Sequence, residues 1–219
     1  MVKYVIFDFD GTIYDTVEGI SRCARYAASS VLNICLPEEE FRCFAGPPLG
    51  TMFMEKFGID MSTADRCVNE FRRRYVPIGL YESRVFPEIP ELLLTLRSCG
   101  IRLAISSLKP IKMVERLLNR ENLAFLFHVM DGITEEEFET AKSDIIRSTM
   151  TRLGADKDST VLVGDTKYDI LGAHECGIRA IGVRYGYAAP GELESAGADM
   201  IVDDPTELRE LLLKLIATE

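Results

Sequence analysis

The chain has 219 residues, 47% hydrophobic and 27% charged, which is ample to bury a core without disulfide or metal staples. A formal charge of −10 disfavours DNA, RNA and anionic membranes as partners, and the nearest basic run, Arg72, Arg73 and Arg74, fans over different faces of a helix as a solvated surface. The six cysteines form no CxxC pair and read as reduced, mostly buried thiols; with neither leader nor membrane span ahead of the first strand, a cytoplasmic protein is expected.

Short apolar runs rich in β-branched residues recur at Tyr4–Phe7, Ile101–Ile105, Phe127–Met130, Thr160–Val163, Arg179–Val183 and Met200–Val202, mostly separated by helix-like segments. The alternation reads as a parallel α/β sheet. Helix punctuation agrees: a Leu-rich segment begins at Pro90 and stops at Gly100, and two later helices stop at Gly154 and Gly177. The first interval breaks the rhythm, because it is far longer than the roughly thirty residues of a βαβ unit. Within it, Asp15 and Glu18 resemble a capping box, and Ile20, Cys23, Ala24, Ala27 and Val31 recur at helical spacing. A second helix is expected from Ser62, with Val68, Phe71 and Tyr75 on one face. The expected organisation is a helical cap at 16–84, hinged on a sheet domain formed by 1–15 and 85–219.

Asp8 and Asp10 follow the first strand, and strand periodicity puts both on one side with Phe7 and Phe9 on the other. Close carboxylates repel unless a cation or a shared proton compensates them, and hard oxygen donors favour magnesium. The bland alternative is a polar strand end with an Asp-Gly turn. Gly164-Asp165-Thr166-Lys167-Tyr168-Asp169 follows another apolar run, at the sheet edge where open α/β folds bind ligands, so Asp165 either completes the metal site or caps the next helix. Ser106 and Ser107 end a third strand, where a hydroxyl suits a phosphate or an N-cap, and Lys142 either neutralises phosphate or is solvated. His128 and His174 lack the paired spacing of a zinc site and are expected in packing or surface roles.

The order of these motifs, Asp8-Phe9-Asp10-Gly11-Thr12, a serine after the next core strand, a lysine, then GDxxxD, resembles the haloacid dehalogenase superfamily of phosphatases along essentially the whole chain. DFDGTIYDT, Phe44-Ala45-Gly46-Pro47-Pro48-Leu49 and GDTKYDILGAHECGI are similar to its phosphoglycolate phosphatase and 5′-nucleotidase branch. The resemblance implies a three-layer αβα Rossmann-like core with an inserted helical cap of the C1 type, and a magnesium-dependent phosphatase acting on a small phosphorylated metabolite. It implies that Asp8 is the nucleophile and Asp10 the general acid and base. Magnesium would be held by the Asp8 carboxylate, the Asp10 carbonyl and Asp165, with Asp169 in support. Ser107 and Lys142 would hold the phosphoryl oxygens.

Three departures stand out. Ser107-Leu108-Lys109 replaces the usual Thr-Asn-Lys or Thr-Ser-Lys, which leaves Ser106 a rival for the phosphate contact. Glu88 stands where a glycine is common, and an acidic run of Glu135, Glu136, Glu137 and Glu139 precedes Lys142. Gly46 and Pro47 are the candidate specificity residues of the cap. A β-phosphoglucomutase-type sugar phosphomutase, a pyrophosphatase or 5′-nucleotidase, and a non-catalytic phosphate sensor stay open as alternatives, as does monomer or homodimer.

Overall fold

The computed structural model describes residues 1–134 and 140–217. The chain forms two compact units, one of Met1–Tyr14 with Val85–Glu219 and one of Asp15–Arg84. The acidic run Glu135, Glu136, Glu137 and Glu139 lies outside the described residues.

The larger unit is built on a six-stranded parallel sheet. Its strands are β1 (Tyr4–Phe7), β2 (Arg102–Pro110), β3 (Phe127–Ile133), β4 (Thr160–Gly164), β5 (Arg179–Val183) and β6 (Met200–Val202). They run in the order β3-β2-β1-β4-β5-β6. Strands buried on both faces read as continuous apolar runs, which is why these segments are so β-branched. Alternation then sorts each strand between two helical layers. Ile6, Ala104, Leu162 and Ala180 pack with Ile146, Leu153, Ile170 and Ala173, from the helices Lys142–Leu153 and Lys167–Glu175. The helices Ile89–Ser98, Ile111–Arg120 and Pro205–Ala217 form the other layer. The result is an αβα, Rossmann-like sandwich. Ile6 is fully buried, so truncating it to alanine would cost about 2–5 kcal/mol.

Helix ends follow their sequence signals. Pro90 sits in the first turn of its helix, and Gly154 ends another with φ of 65°. Glu88, the departure from glycine, takes a left-handed φ of 54° ahead of Ile89. β2 runs on to Pro110, beyond the apolar stretch that marks it in sequence.

The smaller unit, Asp15–Arg84, contains the helices Val17–Leu32, Leu49–Phe57 and Met61–Tyr75 and two short 3₁₀ turns. Cys23, Ala24 and Ala27 are buried, as are Cys67, Phe71 and Tyr75, whereas Val68 is only half-buried. Phe41, Phe44, Phe53 and Phe57 form an aromatic cluster, with the Phe44 and Phe53 ring centroids 4.6 Å apart. The capping box expected from Asp15 and Glu18 is absent. Thr16 is the N-cap, Asp15 accepts from the Val17 N–H at 3.4 Å, and Glu18 pairs with Arg22 one turn on. Arg72 and Arg73 are exposed, while Arg74 is half-buried against Glu82 at 2.7 Å.

All six cysteines are free, but the expectation that most are buried fails: Cys35, Cys43 and Cys99 are exposed, because their segments present them at helix ends and turns outside either core. Among the described residues no helix is long and apolar enough to cross a membrane.

Candidate active site

Register brings the site together. Phe7 of β1 lies opposite Ile105 of β2 on one side and Val163 of β4 on the other, so the next residues, Asp8, Ser106 and Gly164, emerge together at the carboxyl edge of the sheet. The Asp8 N–H still donates to the Val163 carbonyl at 2.8 Å, which holds the nucleophile candidate on the ladder. The chain then turns sharply, with the N–H groups of Ile13 and Tyr14 both returning to the Phe9 carbonyl at 2.9 and 3.0 Å. Gly11 makes that turn at φ of 79°, and a side chain there would run into the Asp165 carboxylate.

Asp8, Asp165 and Asp169 are buried, each with one carboxylate oxygen within 4.8 Å of the others. Lys142 opens the helix Lys142–Leu153 with its side chain 5% exposed, so it is not the solvated helix lysine of the bland alternative. Its Nζ donates to Asp8 Oδ1, and to Asp169 Oδ1 at 2.7 Å. Gly172 clears the space for its stem, since a Cβ at that position would stand 3.1 Å from Lys142 Cβ.

Asp165 does not cap the following helix. That place belongs to Thr166, whose N–H and hydroxyl donate to Asp169 Oδ2 at 3.0 and 2.8 Å. Asp169 therefore spends one oxygen on the helix end and the other on Lys142. Asp165 is instead held by the Tyr187 N–H at 2.8 Å and the Thr12 hydroxyl at 3.4 Å. It has no ion pair among the described residues.

The electrostatics follow from this arrangement. Burial raises the Asp8 carboxyl pKa well above its ordinary value, opposed by Lys142 and reinforced by Asp169 and Asp10. Burial, then Asp169 and Asp8, also hold the Asp165 carboxyl well above its ordinary range, against the Tyr187 N–H and Lys142. Burial alone would lower Lys142, but Asp169 and Asp8 outweigh it and the ammonium is held charged. One ammonium thus faces three carboxylates, a deficit that a hard divalent cation would correct. The donor set is all oxygen, and Asp165 is the donor lacking a cation of its own, so the residues fit magnesium.

Asp10 is paired with Lys109, whose Nζ lies 3.0 Å from each of its carboxylate oxygens. Ser107 Oγ accepts the Lys109 N–H at 3.3 Å, whereas Ser106 Oγ is buried with no hydrogen-bond partner among the described residues. Gly46 and Pro47 lie in the smaller unit, just ahead of the helix Leu49–Phe57. His128 and His174 are exposed, beside Arg97 and Asp199 respectively. Sequence reasoning missed Lys109, and it missed the loop Tyr185-Gly186-Tyr187. Tyr185 donates from its hydroxyl to the Thr12 carbonyl at 3.0 Å, and Gly186 packs directly against Asp165. A Tyr-Gly-Tyr after a core strand was the only signal for the loop.

Residues 5–183 match the family model for haloacid dehalogenase-like hydrolases. A 5′-nucleotidase of Pseudomonas aeruginosa is 34% identical over 209 residues, covering 95% of this chain and 94% of its own. A phosphoglycolate phosphatase of Vibrio cholerae is 27% identical over 222 residues, covering 97% of each chain. The crystal structure of a predicted phosphatase from Clostridium acetobutylicum superposes with a TM-score of 0.91 at 33% identity, over 98% of this chain and 99% of that one. With the αβα fold and the carboxylate cluster at its sheet edge, the chain belongs to the haloacid dehalogenase-like hydrolase family.

Proposed function

We propose that the protein is a magnesium-dependent phosphatase for a small phosphorylated metabolite, working through a phosphoryl group carried on Asp8. The observation that carries this reading is the buried cluster of Asp8, Asp165 and Asp169, with a single ammonium, Lys142, among them. Magnesium would be held by the Asp8 carboxylate, the Asp10 carbonyl and Asp165, with Asp169 supporting. When bound, it supplies the positive charge that lets an anionic nucleophile approach an anionic phosphate.

In the first step an Asp8 oxygen attacks phosphorus, the ester P–O bond breaks, and Asp10 gives its proton to the departing oxygen. In the second, Asp10 takes a proton from water, the water oxygen attacks phosphorus, and the Asp8–phosphorus bond breaks to release inorganic phosphate. Lys142 and Ser107 hold phosphoryl oxygens. Ser106 is the rival, supported by its orphaned hydroxyl, since a buried polar atom without a partner asks for an absent one. Comparing phosphate inhibition in Ser106→Ala and Ser107→Ala separates the two. The unit Asp15–Arg84 serves as the cap, with Gly46 and Pro47 its specificity candidates.

The substrate class follows the relatives, a nucleoside monophosphate or phosphoglycolate. The test is phosphate release from an aryl phosphate and a metabolite panel, with magnesium, with chelator, and with Asp8→Asn. Metal-dependent release lost in the variant supports the reading; no release by folded, magnesium-loaded wild type overturns it.

A further inference from the structure

The larger unit holds a second buried ammonium that the chemistry above leaves without a role. Lys109, 7% exposed, grips both oxygens of Asp10. Simple strand alternation does not account for this. β2 pairs Ser107 with Gly132 and then Pro110 with Ile133, so the register shifts across Leu108 and Lys109. A bulge of this kind bends its strand and re-aims a side chain. Two features fix it in place. The Lys109 N–H donates to Ser107 Oγ, and Gly132 lets the Lys109 carbonyl come so close that a Cβ there would stand 2.6 Å from it. Burying an ammonium costs several kcal/mol unless it is well paired. Here the bulge, the missing side chain and the buried charge all converge on one carboxylate.

We propose that Lys109 is a positioning residue that fixes the aim of the Asp10 carboxylate, so that the two buried lysines divide the work: Lys142 serves the nucleophile and Lys109 the proton donor. The proposal rests on the reading of Asp10 as acid and base. A carboxylate at a turn is free to rotate about its Cβ–Cγ bond, and an ammonium bridging both oxygens removes that freedom. When Asp10 carries the proton, one oxygen leaves Lys109 and faces the departing group while the other stays held. As the ester P–O bond breaks and the Asp8–phosphorus bond forms, the proton passes to the departing oxygen and Asp10 closes again on Lys109 as a carboxylate. Lys109 therefore matters for leaving groups that need a proton and little for those that depart as stable anions.

The test compares kcat/KM, which reports the steps up to leaving-group departure, for 4-nitrophenyl phosphate and for the alkyl phosphate that wild type turns over fastest, all with magnesium. Lys109→Met is expected to lose about 100-fold on the alkyl ester and less than about fivefold on the aryl ester. Inhibition by inorganic phosphate and the magnesium dependence stay at wild-type values, and Lys109→Arg recovers most of the alkyl-ester activity. Lys109→Gln, which keeps a donor without charge, is expected to fall between and carries the comparison if the methionine variant does not fold. Equal losses on both esters, or weakened inhibition by phosphate, overturn the proposal in favour of a structural or a phosphate-binding role. Wild type inactive on both esters would remove the phosphatase reading itself; active wild type with no leaving-group dependence in the variants removes only this inference.

Discussion

Replacing Lys142 with methionine is the perturbation whose consequence the site defines most sharply. The side chain is 5% exposed and its Nζ is shared by Asp8 and Asp169, with Asp165 in the same cluster. Methionine fills a similar volume, so the packing against Gly172 survives and the loss is one of charge. Removing one partner of a buried ion pair costs about 3–5 kcal/mol, because the other is left uncompensated. At about 2–4 °C per kcal/mol for a chain of this size, the melting temperature should fall by about 6–20 °C.

The assay is urea and thermal unfolding followed by circular dichroism, first with chelator and then with magnesium. Magnesium at a hundred times its dissociation constant adds about 2.7 kcal/mol to any protein that binds it only when folded. Without the competing ammonium the variant should bind it more tightly than wild type, so the gap between the two should narrow in magnesium. A loss below about 1 kcal/mol in chelator, the value of an exposed pair, would refute the claim that Lys142 neutralises a buried cluster.

Other consequences are equally open to measurement. Gly186→Ala puts a Cβ into Asp165 and 2.6 Å from the Gly11 carbonyl; displacing a residue that aims a metal ligand should raise the magnesium concentration needed for half-maximal thermal stabilisation by about 10–100-fold. Unchanged magnesium titration would count against Asp165 as a ligand. Glu88→Gly relieves a left-handed non-glycine backbone and, after the extra chain entropy of glycine, should stabilise the protein by about 0.5–1 kcal/mol in urea unfolding. In the smaller unit, hydrogen bonds from Arg74 hold the half-buried Glu82 carboxyl below its ordinary 4.5. A depressed pKa contributes stability that is present above the unfolded value and is lost as pH falls through the folded one. Glu82→Gln should therefore flatten the loss of stability as pH falls below the ordinary 4.5 of a glutamate, seen in melting temperature against pH.

The parallel strands were legible because a strand buried on both faces must be apolar throughout, and β1, β5 and β6 begin and end where their apolar runs do. The far end of β2 was not, since Ser106–Pro110 is polar and bulged, and a bulge breaks the alternation from which strands are read. The same bulge hid the pairing of Lys109 with Asp10. Asp8 and Asp165 could be read together because each directly follows an apolar strand or its terminal glycine, and neighbouring parallel strands bring such positions to one edge. The helix Leu49–Phe57 was not foreseen, its start obscured by Pro47, Pro48 and Gly50. Asp15 and Glu18 have the spacing of a capping box, but spacing cannot tell that Arg22 takes the glutamate.

The central claim is that phosphate passes through Asp8. Acid-quenching magnesium-loaded wild type during turnover of a phosphate ester and mapping its peptides tests this directly. The account predicts a phosphoryl group on the peptide containing Asp8, absent from Asp8→Asn, which should release no phosphate; release at the wild-type rate by Asp8→Asn, or phosphate carried on another residue, would contradict it.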